Sequence, residues 1–285
     1  MGYQAALRDV RYAMEVLDLP YLYLSCLSVL PRVSLGKMTL EERPECFLMA
    51  DREGVTRVLP RVDDRRTYYQ AVLSVLECGG SLLMLPEYIG HHLSAHYEVA
   101  LAHREYACTT ERLAELAGAR LARVRTYANR WAREVEVVDL GARPDLAEAF
   151  IACNDLWYRQ QTEMGGKFRL YDKRVIAWLL EHWPQVLTVE PQALCLGAFQ
   201  DGRVIGLNIA APLLATWWGC YTRRHDMTAN NIAMFLFREA ARRFADLGFT
   251  QLSDGTADTK ELRRLKDRYA APIIRSYRAR KGGKR

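Results

Sequence analysis

The sequence contains no CxxC pair, and its seven cysteines, Cys26, Cys46, Cys78, Cys108, Cys153, Cys195 and Cys220, stand singly. That spacing speaks against a disulfide scaffold and a four-cysteine zinc site, so the thiols read as reduced small hydrophobes. His91, His92 and His96 form the one histidine cluster, without an HExxH pattern, and no metal is expected. GxSxG, GxxxxGK[ST] and GxGxxG are also missing, which removes the usual support for hydrolase, nucleotide-triphosphatase and dinucleotide readings. No apolar run reaches the roughly 18 to 20 residues that span a bilayer, and Arg8, Asp9, Arg11 and Glu15 interrupt the N-terminus. The expectation is a cytoplasmic protein with no integral membrane segment.

What is present is an ordinary globular composition, 50% hydrophobic and 26% charged over 285 residues, with an uneven distribution of charge. The net charge is only +6, yet from Arg263 onward the chain carries Arg263, Arg264, Lys266, Arg268, Arg275, Arg278, Arg280, Lys281, Lys284 and Arg285 against the single acid Asp267. Such a concentration points to an acidic, nucleic-acid-linked substrate. The length suits two domains, and Gly141-Ala142-Arg143-Pro144-Asp145 supplies turn and helix-start residues, which divides the chain into 1–140 and 141–285.

In the second half, Asp145 and Asp172 are expected to cap two helices, the first running to about Glu163 and the second ending before Pro184. Ala193 to Phe199, Val204 to Ala211 and Ala215 to Tyr221 read as three antiparallel strands, the first pair joined through Asp201-Gly202, a primed-turn dipeptide. Ile232, Phe235, Leu236, Ala240 and Phe244 recur at helical spacing, with Asn230 or Asn231 as the cap. A strand over Phe249 to Ser253, a helix over Thr259 to Arg268 and a strand over Pro272 to Arg278 complete the pattern. In the first half, Glu45 to Ala50 and Thr56 to Val62 predict a hairpin around Asp51-Arg52-Glu53-Gly54. Asp64 caps a helix through Leu76, Ser81 to Leu85 is a buried strand, and Leu113 to Trp131 reads as one continuous helix.

The order of elements in the second half resembles the GNAT acyltransferase fold. Two segments narrow the likeness. Tyr106 to Arg120, with its Leu113-Ala114-Glu115-Leu116-Ala117-Gly118 core and the following Arg123, Arg125 and Asn129-Arg130-Trp131, resembles the C-terminal domain of phosphatidylglycerol lysyltransferases. Asp254-Gly255 followed by Leu262-Arg263-Arg264-Leu265-Lys266-Asp267-Arg268-Tyr269 is similar to the ending shared by that domain and, more loosely, by the Fem peptidoglycan aminoacyltransferases. The resemblance implies an α/β fold, an α+β mixed sheet built from tandem GNAT-like domains, and an aminoacyltransferase with aminoacyl-tRNA as co-substrate and no bound cofactor. The membrane-spanning half of the lipid-modifying members has no counterpart here, which directs the expectation to a small-molecule or peptide acceptor. The acyl-CoA loop Q/R-x-x-G-x-G/A is replaced by Tyr221 to Asn231, which weighs against coenzyme A because glycines let backbone N–H groups close on phosphates.

An aminoacyl ester is already activated, so transfer needs an oriented amine, one proton removed and a stabilised oxyanion. Asp254 and Lys266 are the expected catalytic pair, against the plainer reading of an Asx turn and a surface lysine. Arg263, Arg264, Arg123, Arg125 and Arg130 are the expected tRNA contacts. Trp217, Trp218, Tyr221, Asn230, Asn231 and Tyr269 are the expected substrate contacts, with core packing the competing use of the aromatics and helix capping that of the asparagines. Two other readings stay open: an N-acyltransferase using acyl-CoA or acyl-carrier protein, and a non-catalytic RNA-binding protein.

Overall fold

The computed structural model describes residues 14, 15, 18, 20, 21, 25–51, 54–61, 64–165, 170–257 and 259–282. Of the residues singled out above, Arg8, Asp9, Arg11, Arg52, Glu53, Val62, Lys284 and Arg285 lie outside the described residues.

Alternating apolar residues and turn dipeptides build one mixed sheet. Its strands are β1 (Met38–Glu42), β2 (Cys46–Asp51), β3 (Val55–Pro60), β4 (Ser81–Pro86), β5 (Glu98–Thr109), β6 (Glu136–Asp139), β7 (Leu194–Gln200), β8 (Arg203–Pro212), β9 (Trp217–His225), β10 (Gln251–Ser253) and β11 (Ala271–Arg280). They lie in the order β1-β2-β3-β4-β11-β5-β10-β9-β8-β7-β6. The last strand therefore sits inside the N-terminal half, and β5 pairs with β11 on one side and β10 on the other. The β7-β8 hairpin forms as its dipeptide predicts, with Asp201 and Gly202 at φ 49° and 78°, the pair of positive angles a type I′ turn requires.

The helices are α1 (Cys26–Ser34), α2 (Arg65–Glu77), α3 (Glu87–Leu93), α4 (Thr110–Ala114), α5 (Ala122–Glu134), α6 (Ala147–Glu163), α7 (Leu170–Glu181), α8 (Trp183–Val189), α9 (Ile232–Asp246) and α10 (Lys260–Lys266). Asp64 caps α2 as expected, accepting from the N–H groups of Arg66 and Thr67. On one face of the C-terminal half, α4, α5 and α9 cover a core that includes Trp218, Phe235, Phe237, Phe244 and Tyr269; on the other, α6, α7 and α8 cover one that includes Phe150, Leu179, Trp183 and Ile209. The approach of α6 to the sheet is close enough to require Gly197, where a Cβ would meet the Phe150 ring at 2.6 Å.

Three local expectations are corrected. Leu113 to Trp131 is two helices, because Leu116 adopts φ 50° and closes α4 with Leu116 N–H donating to Leu113 and Ala117 N–H to Arg112, a Schellman ending; Gly118 follows at φ 97°. Asp145 does not cap α6; it forms an ion pair with Arg143 within a preceding 3₁₀ turn. Asn231 sits at the start of α9 in the left-handed region, φ 62°, with no capping bond from its side chain.

Cys46, Cys153, Cys195 and Cys220 are buried and Cys78 is exposed. Burial pushes the Cys153 thiol up to about 12 and that of Cys220 up to about 11. A thiol reagent at pH 8 is expected to modify Cys78 first and to reach those four only on unfolding, as peptide mapping of a time course would show.

Candidate active site at the split between two parallel strands

β9 and β10 run parallel but share only three pairs, Gln251 with Trp217, Leu252 with Trp218 and Ser253 with Gly219. Past that point β10 ends and its chain turns away at Asp254, while β9 continues to His225. A wedge opens between them. The pairing of β9 with β8 shifts between Cys220 and Thr222, so Tyr221 is the extra residue of a bulge. Side chains alternate in a strand, and a one-residue bulge reverses which of them face each side. Trp218 and Cys220 thus belong to the α9 side before the bulge, and Arg223 takes that side after it.

Arg223 reaches across the wedge. Its Nη2 lies 3.0 Å from each carboxylate oxygen of Asp254, with the guanidinium 4.2 Å from the centre of the Phe237 ring. Tyr269, fully buried, donates its hydroxyl to Asp254 Oδ2 at 2.5 Å. Lys266 Nζ is 3.3 Å from the same oxygen and donates to the carbonyls of Asp254, Gly255 (3.4 Å) and Thr256 (2.9 Å). Asp254 and Lys266 are 4% and 3% exposed, so the sequence-selected pair does meet, as part of a buried cluster of two cations and one carboxylate. Burial works against the charge on Arg223, and Asp254, Tyr269 and Cys220 together more than offset it, raising the guanidinium well above its ordinary range. Burial raises the Tyr269 hydroxyl well above its usual value, against the pull of Arg223, and keeps it a donor.

The chain after Asp254 is tied to β5. Asp254 N–H donates to Tyr106 O at 2.8 Å, Tyr106 N–H to Gly255 O at 2.9 Å, and the Tyr106 hydroxyl to Asp267 at 3.2 Å. Outside this loop lies a groove of about 420 Å³ lined in part by His103, Arg104, Tyr106, Thr256, Ala257 and Arg263. Arg263 and Arg264 are exposed on α10, whose first turn is capped by the Thr259 hydroxyl accepting from Leu262 N–H.

The loop from β9 to α9 is closed on itself. Asp226 accepts from Gln160 Nε2 and from both the N–H and hydroxyl of Thr228, at 3.0, 3.0 and 2.8 Å, while Met227 N–H donates to Gln160 Oε1 at 2.9 Å. A side-chain carboxylate and a side-chain carbonyl thus occupy the N–H groups of Thr228 and Met227.

The remaining expected residues are dispersed. Trp218 is fully buried, stacked on Phe244 with ring centres 4.6 Å apart and donating to Thr110 Oγ1 at 2.9 Å, so it packs the core. Trp217 and Tyr221 are half-buried along the wedge strand. Asn230 is exposed and its carbonyl accepts from Trp131 Nε1 at 2.9 Å. On α5, Arg125 donates to Leu116 O at 2.6 Å, Arg130 pairs with Glu134 at 2.8 Å and Arg123 lies over Tyr127. Sequence reasoning assigned no role to Arg223, Arg224, Tyr106 or Asp226. For Arg223 and Arg224 the signal was there: the aromatic strand runs on through Thr222-Arg223-Arg224-His225 without a breaker.

Similar folds are known. A conserved protein of unknown function from Bacteroides thetaiotaomicron superposes with a TM-score of 0.82 at 13% identity, over 97% of this chain and 96% of that one. L-PGS from Bacillus licheniformis gives 0.62 at 14% identity over 90% and 88%, and FemX 0.63 at 9% over 95% of each. At these identities the likeness is one of fold, a mixed α/β sheet. The search of curated proteins gave no match. No described helix is long and apolar enough to cross a membrane, and among the described residues no three His, Cys, Asp or Glu side chains converge on a metal position. Residues 49–280 match the family model described as phosphatidylglycerol lysyltransferase, C-terminal, and the chain belongs to that family.

Proposed function

We propose that this protein is a transferase that moves an amino acid from aminoacyl-tRNA to an amine of a small-molecule or peptide acceptor, forming an amide. The acceptor nitrogen attacks the ester carbonyl; the new C–N bond forms, the bond to the ribose oxygen breaks, and the proton lost from nitrogen ends on that oxygen. The observation that carries the reading is the pairing of a self-closed β9-α9 loop with a basic groove at the opposite side of the same wedge. Asp226 and Gln160 consume the N–H groups that would cradle a pyrophosphate, which disfavours coenzyme A, whereas His103, Arg104, Arg263 and Arg264 suit a donor carried on a phosphodiester chain.

In this proposal Asp254 is a positioning group, since its carboxylate is already engaged by Arg223, Tyr269 and Lys266. The cluster's surplus positive charge, in a site shielded from water, favours the oxyanion.

The test is an incubation of purified protein with total charged tRNA bearing labelled amino acids and a candidate amine pool, with and without ribonuclease pretreatment. Ribonuclease-sensitive transfer is the expected result. Transfer from acyl-CoA after complete removal of tRNA would replace the proposal with the thioester reading, and tight tRNA binding without transfer to any amine would favour an RNA-binding protein. A filter-binding salt titration gives a further check: Arg263→Ala with Arg264→Ala should lower the slope of log K against log salt by about 1.4 to 1.8, at roughly 0.7 to 0.9 per lost phosphate contact.

A further inference from the structure

The bulge that sends Arg223 to the α9 side sends Arg224 to the opposite one, where it meets α6. Its guanidinium lies 3.9 Å from the centre of the Trp157 ring and 5.4 Å from that of Tyr158, and it donates to the Tyr158 hydroxyl at 3.4 Å and the Arg223 carbonyl at 3.3 Å. Its Nε–H is buried with no hydrogen-bond partner among the described residues. Two residues earlier on the same strand face, the Thr222 hydroxyl is in the same condition, and so is the side-chain amide of Asn154, fully buried on α6 one turn before Tyr158. From the N-terminal half, Arg32 of α1 donates to the Tyr221 hydroxyl at 3.3 Å. Asp172 lies near enough to act on the hydroxyls of both Tyr158 and Tyr221. Among the described residues, two guanidinium groups and one carboxylate stand around this cluster.

Buried donors left unsatisfied are costly, and a cationic one held flat against an indole keeps both its aim and its charge. Arg224 and Tyr221 are each partly exposed, so the cluster reaches solvent along the edge of β9 that faces away from β8. We infer that Arg224, with the hydroxyls of Tyr158 and Thr222, forms a subsite for an anionic group, a phosphate or a carboxylate, carried by the acceptor molecule. Its assignment to the acceptor rests on the transfer reading, because the donor's phosphates are placed on the other side of the sheet.

The subsite is tested without tRNA. Trp157 beside Arg224 serves as a fluorescence reporter for titration with phosphoethanolamine, glycine and ethanolamine, which share an amine and differ in the anionic group, and with inorganic phosphate. Saturable binding of phosphoethanolamine or of glycine, at least tenfold tighter than ethanolamine and at least tenfold weaker in Arg224→Gln, is expected; the arm that binds identifies the anion, and inorganic phosphate shows whether the anion suffices alone. Tyr158→Phe, which keeps the ring and the packing, should weaken the same ligand about threefold to tenfold. Equal affinities for the three amines, no saturable binding, or an affinity unchanged in both variants would overturn the inference. Its failure is separable from that of the transfer reading, since tRNA-dependent transfer can proceed while no anion binds at Arg224, and anion binding can be present in a protein that transfers nothing.

Discussion

Arg223→Ala is expected to lower the free energy of unfolding by about 3–5 kcal/mol, a large share of the stability of any domain. The pair it breaks is almost solvent-free, with the side chains of Arg223 and Asp254 at 13% and 2% exposure, so removal of the cation leaves a buried carboxylate with Lys266 and Tyr269 as its remaining partners. The strand end that bears Asp254 and the Phe237 ring beneath the guanidinium lose their common partner in the same step. A denaturant titration measures the loss as a fall in midpoint at constant slope. The double variant Arg223→Met with Asp254→Leu should not recover it, because the buried Lys266 ammonium and Tyr269 hydroxyl then lose the carboxylate they share. An unfolding free energy within about 0.5 kcal/mol of wild type for Arg223→Ala would show that water reaches this cluster and would remove the argument for a shielded oxyanion site.

Lys266→Met should have the second large effect, expressed in rate as well as stability. The ammonium serves three successive carbonyls, those of Asp254, Gly255 and Thr256, and thereby fixes the loop that forms one wall of the groove. Its loss is expected to reduce stability by about 2–4 kcal/mol and transfer by roughly 100-fold to 1,000-fold. Lys266→Arg should not rescue either, since a planar fork does not match three carbonyls arranged around a point. Hydrogen exchange at Gly255, whose N–H approaches Ser253 Oγ, reports loosening of the loop independently of activity. Unchanged turnover in Lys266→Met, at a temperature where it remains folded, would remove Lys266 from the proposed machinery.

The C-terminal half was legible because its signals are local. Asp201-Gly202 dictates a turn whatever surrounds it, and the apolar spacing of α9 needs no partner to be recognised. The Asp254 and Lys266 pairing was also legible, through a motif and a strand-to-helix turn that brings its ends together. The remainder depends on tertiary neighbours. β5 reads Glu98-Val99-Ala100-Leu101-Ala102-His103-Arg104-Glu105, with no clean alternation, because it is paired on both edges and exposed over part of one face. Arg223 looked like one of many arginines; only the bulge at Tyr221 decides that it, rather than Thr222, meets Asp254. The break at Leu116 escaped notice since a leucine in the left-handed region has no sequence signature, and the apolar spacing of Leu113, Leu121, Val124, Ala128 and Trp131 persists through it.

The position of β11 has a consequence for how the molecule is made. Its neighbours β4 and β5 leave the ribosome long before it does, and until it arrives each presents a bare row of peptide groups in what will become the middle of the sheet. Exposed strand edges of that kind recruit other strands, including those of a second nascent chain. The chaperone requirement of this protein is therefore expected to lie in the interval between synthesis of β5 and of β11, and deletion of β11 should yield aggregates rather than a trimmed enzyme.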